Sequence, residues 1–278
     1  MVFQIKQGER QLFAFLPIVV PFLFILAGEV MLFIGKPDLC MSIHLLNILL
    51  CIFAPILLRQ DVLLWQSFML VSMLRAINLA MPTFHELTLL WMPLIYAPII
   101  LVCLLMIRDE SRNWLSYLRE FKLFFNISRA TAGWKIYYIP LALIIALVAA
   151  NIEFAILSMT IPDLRLIPEL NIEYLALLFI IMVFFVGLGE ELVFRYILQS
   201  RLHAALGIAP ALMLSSAAFA LMHSGYTSMA YMAYVFCISL VLGLIYYRTK
   251  SLAFVTIIHG LLNFFLFSFL PFGYLHIF

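Results

Sequence analysis

Residues 187–196, GLGEELVFRY, set two adjacent glutamates, Glu190 and Glu191, and an arginine, Arg195, inside an apolar run covering 173–199. A run of that length is enough to cross a hydrocarbon core of about 30 Å. Ionisable groups at such depth are costly and are kept when they pair or act. Reading this stretch as a membrane span therefore decides the fold, and it requires the rest of the chain to supply partners.

The composition agrees with a membrane setting. The 278 residues are 66% hydrophobic and 11% charged, with 26 Phe and 14 Met, where soluble domains are about 25% charged. Mean hydropathy is +1.14. The sequence predicts an all-α polytopic membrane protein with nine apolar segments at 11–35, 41–58, 62–81, 88–107, 136–158, 173–199, 209–224, 228–247 and 252–270. Helices satisfy their own backbone where no water is present, and no period-2 barrel pattern occurs. The first segment is too long for a cleaved signal and is expected to span. Cys40, Cys51, Cys103 and Cys237 are scattered, so neither a disulfide framework nor a cysteine metal site is expected.

Basic residues give an orientation. With the N-terminus cytoplasmic, the inner segments carry Lys6, Arg10, Arg59, Arg108, Arg112, Arg119, Lys122, Arg129, Lys135, Arg201, Arg248 and Lys250, and the outer ones only Lys36 and Arg165. That asymmetry is the positive-inside pattern. It favours an odd number of spans and an outer C-terminus, because removing one span would invert every later loop. The chain divides into a four-span N-terminal region (1–107), a linker (108–135) and a C-terminal membrane core (136–278). In the linker Trp114, Leu115, Leu118, Phe121 and Phe125 recur at helical spacing among Arg and Lys, as in a helix lying on the membrane surface.

Two groups of intramembrane charges emerge. Glu29, Arg75 and Glu153 lie toward the outer ends of the first, third and fifth segments, and one shared ion network is expected of them. In the second group, Glu191 and Arg195 are four apart and stack on one helix face. Glu190 is turned by about 100° and needs a partner on another helix. The seventh segment ends with Phe219 and His223 one turn apart; the ninth carries His259 and Asn263 at the same spacing. Buried carboxylates, two histidines and an asparagine on three successive helices are an expensive set to assemble for packing alone.

These motifs, EExxxR (Glu190, Glu191, Arg195), FxxxH (Phe219, His223) and HxxxN (His259, Asn263), in this order over about 173–270, resemble the CPBP family, the CAAX-protease and bacteriocin-processing (Abi) group of intramembrane proteases. The resemblance implies an endopeptidase acting on a membrane-associated, in some cases lipidated, peptide or protein in a prokaryotic cytoplasmic membrane. It implies Glu190 as general base, His223 holding the water, His259 and Asn263 as the oxyanion hole, and Glu191 with Arg195 and Phe219 in support. Its alternative is a zinc protease with Glu190, His223 and His259 as ligands; a metal-free site is favoured, since Asn263 is a poor zinc ligand and the histidines lack compact spacing. A transporter or a silent immunity or binding protein is the other class of function. No nucleic-acid partner is expected.

Depth raises a difficulty. Reckoned at about 1.5 Å per residue, His223 falls about 7 Å further from the cytoplasmic face than Glu190. A seventh segment that begins deeper, or a 200–208 stretch that dips into the protein, would bring them level in a pocket nearer the cytoplasmic side.

Overall fold

The computed structural model describes residues 7–81, 88–110 and 138–277. The expected surface helix of the linker lies almost wholly outside them. Nine helices follow one another: α1 (Gln7–Phe33), α2 (Pro37–Leu58), α3 (Val62–Ala80), α4 (Thr88–Glu110), α5 (Tyr138–Leu157), α6 (Ile172–Leu206), α7 (Ile208–Leu221), α8 (Met229–Thr249) and α9 (Leu252–Phe267). Short 3-10 turns at Ser224–Tyr226 and Leu270–Phe272 complete the described structure. The fold is all-helical, as expected, and the protein is an integral membrane protein.

Eight of these helices are long and apolar enough to cross a bilayer; α7, with 14 residues, is shorter. It still carries the chain across. It starts at Gly207, whose φ of +84° turns the chain sharply out of α6, and it ends beside α1, where Ser224 bonds Glu29. Caps fix several other boundaries. Asp61, Asn171, Ser228 and Ser251 each accept a backbone N–H of the first turn of the helix that follows, satisfying donors that the bilayer would leave bare.

The sixth segment departs most from expectation. It runs on to Leu206 as one 35-residue helix, and two π-helical stretches, 182–187 and 192–199, flank the ordinary α turn LGEE at 188–191. Its polar tail stays helical because Arg201 is satisfied across the bundle. That guanidinium donates to the Leu63 carbonyl at 2.7 Å and to Ser67 Oγ at 3.0 Å, and it pairs with Glu110. This extension removes the depth difficulty. At about 1.5 Å per residue, Glu190 is about 24 Å from Leu206 and His223 about 22 Å from Ile208. Neither a deeper start for α7 nor a dip of 200–208 is involved. His259 comes level because α9 starts from a buried turn, with Ser251 and Leu252 0% and 1% exposed.

Close approach of α6 and α9 depends on glycine. A Cβ on Gly260 would lie 2.7 Å from the Val183 Cα, and one on Gly187 would meet the Thr256 carbonyl at 3.1 Å and the Gly260 nitrogen at 3.2 Å. Backbone atoms cannot rotate away as a side chain can. Gly260→Ala is therefore expected to force the helices apart and to cost about 1–3 kcal/mol, read as a lowered unfolding midpoint of the detergent-solubilised protein; an unchanged midpoint would show that the two helices are not held at this separation.

Candidate active site

Glu190, Glu191, Phe194, Phe219, His223, His259 and Asn263 come together at the middle of the bundle. Of these, all but Glu191 line a cavity of about 650 Å³, within the range of small-molecule and peptide sites. At its centre the two carboxylates of α6 converge on one imidazole. His259 Nδ1–H donates to Glu191 Oε1 at 2.7 Å, and His259 Nε2 is 3.4 Å from Glu190 Oε2. The expectation that Glu190 would point away from its neighbour needs correction, since both glutamates reach His259. The π winding on either side of LGEE alters the azimuth that a uniform α-helix would set, a recurring use of such stretches at functional sites.

Each glutamate also has a partner of its own. Arg195 Nε lies 3.1 Å from Glu191 Oε2, an ion pair whose N–H is not aligned as a hydrogen bond. The Arg195 guanidinium reaches Ser239 Oγ at 3.2 Å and lies 4.6 Å from the centre of the Phe219 ring. An aromatic face is a favourable neighbour for a cation without water. Phe219 is the packing hub: its ring also meets Phe194, His223 and His259, with centroids 5.0, 4.9 and 5.8 Å away. Glu190 finds the partner on another helix that it required. Tyr96 of α4 donates its hydroxyl to Glu190 Oε1 at 2.5 Å. Gly189 makes this possible, because a Cβ there would stand 2.7 Å from the Tyr96 ring.

His223 sits in the turn after α7 rather than on it. Its Nδ1–H donates to the Phe219 carbonyl at 2.9 Å, which leaves Nε2 as the acceptor of a neutral ring. The residues on both sides are held by α1 and α3. Arg75 donates to the Met222 carbonyl, and Ser224 Oγ donates to Glu29 Oε2 at 2.6 Å. Arg75 and Glu29 are themselves joined by two hydrogen bonds of 2.7 and 2.8 Å. His44, which the sequence left without a role, belongs to this cluster, its Nε2 3.3 Å from Glu29 and its Nδ1 hydrogen-bonded to Ser72.

Glu153 does not join Glu29 and Arg75, contrary to expectation. It accepts from the Tyr231 hydroxyl at 2.7 Å and lines the cavity beside Tyr226 and His223. His203 stacks edge-on with Tyr247 and His276 bonds the Leu270 carbonyl, so both stand apart from the site. The four cysteines are unpaired thiols.

A zinc site would need Glu190, His223 and His259 to close around one ion. Among the described residues, the trio whose donor atoms lie within 4.8 Å of one another is Glu29, Cys40 and His44, where Arg75 and Ser224 already hold the carboxylate. Both nitrogens of His259 face carboxylates. The cavity residues therefore fit zinc poorly.

Residues 172–265 match the family model described as type II CAAX prenyl endopeptidase Rce1-like. This stretch, from the start of α6 almost to the end of α9, is an Rce1-like domain, in keeping with the CPBP resemblance of its three motifs, and it supports an intramembrane endopeptidase. Neither a curated protein nor a solved structure matches the chain.

Glu191 and Arg195 are 0% and 1% exposed. Breaking a buried pair strands one charge in a low dielectric. Arg195→Leu is expected to lower stability by about 3–5 kcal/mol, and adding Glu191→Gln to recover part of that loss in a thermal-unfolding double-mutant cycle. Additive losses would mean that the two side chains do not depend on each other.

Proposed function

We propose that the protein hydrolyses a peptide bond of a membrane-associated polypeptide with a water activated by Glu190. The convergence of Glu190 and Glu191 on His259 at the cavity carries this reading. Glu190 takes a proton from the water as its oxygen bonds to the scissile carbonyl carbon. The carbonyl π pair moves to oxygen and forms the tetrahedral oxyanion. When the oxyanion collapses, the C–N bond breaks and Glu190 returns the proton to the departing amine.

Tyr96 and His259 aim the Glu190 carboxylate. His223, with Nδ1 committed to the Phe219 carbonyl, offers Nε2 to accept from the attacking water. Asn263 supplies an amide N–H to the oxyanion. His259 can donate there only when it carries a proton on both nitrogens, since Nδ1–H is already given to Glu191; two carboxylates around one ring favour that state. Glu191 and Arg195 fix the ring from behind. Arg75 and Glu29 act as positioning residues, holding the backbone on both sides of His223.

Glu190→Gln is expected to lower peptidase activity at least about a hundredfold, the usual worth of a general base, while wild-type activity survives a strong chelator. Activity lost to chelation and restored by zinc would replace this mechanism with the metalloprotease; activity retained in Glu190→Gln would remove Glu190 from the chemistry. For the positioning role, Ser224→Ala should lower kcat about tenfold, an effect of roughly 1.4 kcal/mol, with KM and the unfolding midpoint nearly unchanged. A fall in the midpoint with kcat intact would make that contact purely structural.

A further inference from the structure

The cavity is reached from one end of the bundle only, and the basic residues gather at the other. Its lining includes Met81 after α3, Trp91 near the start of α4, Asp163 and Arg165 in the α5–α6 loop, and Tyr226 in the α7–α8 turn. All belong to one set of turns. Among the described residues, the opposite set, 59–61, 107–110, 207 and 250–251, contributes nothing to the lining. The mouth is open to solvent there, with the Arg165 and Asp163 side chains 50% and 54% exposed and joined by a 2.7 Å ion pair. Hydrogen bonds from Arg165 hold the Asp163 carboxyl down to about 2, so the pair stays charged at any physiological pH.

Arg59, Arg108, Arg201, Arg248 and Lys250 all stand at the end away from the mouth. The segment before α1 and the one between α4 and α5 join helices at that same end, and they bring Lys6, Arg112, Arg119, Lys122, Arg129 and Lys135. The mouth end has Lys36 and Arg165 alone. A lysine- and arginine-rich face is retained in the cytoplasm during insertion.

We infer that the catalytic cavity opens on the non-cytoplasmic side, and that its substrate is an exported polypeptide whose scissile bond has already crossed the membrane. The inference rests on the endopeptidase reading for its chemistry, but the sidedness stands on charge and geometry alone. It separates this chain from an enzyme that trims cytosolic lipidated tails, because such a tail would meet the closed, basic end. A polypeptide still held in the outer leaflet by an apolar segment could enter laterally and lay its backbone across Glu190, with its polar remainder leaving past Asp163 and Arg165. The reaction class that must supply this substrate is protein export.

The test is single-cysteine labelling of the full chain in intact bacterial cells with a membrane-impermeant maleimide. The background is Cys237→Ser, since Cys237 is the exposed thiol and the other three are buried. Thr160→Cys in the α5–α6 loop and Tyr226→Cys at the cavity wall should be modified in intact cells, and Arg248→Cys only after permeabilisation. Labelling of Arg248→Cys in intact cells, or protection of Thr160→Cys until the cells are opened, overturns the inference. A chain that fails to fold would be degraded or label equally at all three positions after solubilisation, whereas a folded chain keeps the contrast between Thr160 and Arg248. Because labelling needs no turnover, a protein that labels as expected yet cleaves nothing would fail the protease reading while keeping its outward mouth. An active protease with the reverse labelling would fail only the inference.

Discussion

A single imidazole between two neighbouring carboxylates organises the centre of this molecule. His259 takes Glu191 on one nitrogen and approaches Glu190 with the other, and almost every contact around them serves to keep that arrangement in a medium that opposes charge. Arg195 balances Glu191, Phe219 gives Arg195 a face to lie against, and Tyr96 settles Glu190. Remove water, and each of these groups needs the next one. The glycines follow from the same demand, since α9 and α4 must come close enough to α6 for hydrogen bonds rather than for packing alone.

The four N-terminal helices are drawn into the site by the same logic. Matching the family model from residue 172 onward describes the helices that carry the three motifs, yet Tyr96, Arg75 and Glu29 come from α4, α3 and α1. Two of them grip the backbone beside His223 instead of touching the cavity's central groups. A turn between helices is the least constrained part of a bundle, and here that turn bears a histidine that must hold still. The clamp supplies from outside the motif region what a short α7 does not supply from within.

Much of this could be read from the sequence because membrane burial makes charge conspicuous. Spacing alone paired Glu191 with Arg195 and Phe219 with His223, and burial alone required a partner for Glu190 on another helix. Which partner was not legible: Tyr96 is one aromatic in an apolar run, with no periodic signal to single it out. Depth along a helix can be counted from the sequence, but azimuth cannot, so Glu153 was grouped with Glu29 and Arg75 at its own level although it faces Tyr231. The length of α6 was hidden by Arg201 and His203, which look like loop residues until Leu63, Ser67 and Glu110 take up the arginine.

The π-helical stretches of α6 bear on how such a chain can vary. A π turn is what an α-helix becomes when it accommodates an additional residue without breaking. Closing 182–187 into ordinary α-helix by losing one residue would leave the apolar character of α6 untouched, but it would swing everything beyond by about 100° and turn both glutamates away from His259. In α6, then, residue number is a chemical property. Substitutions can drift across its lipid-facing side, while a one-residue insertion or deletion between 182 and 199 acts directly on the bearing of the carboxylates.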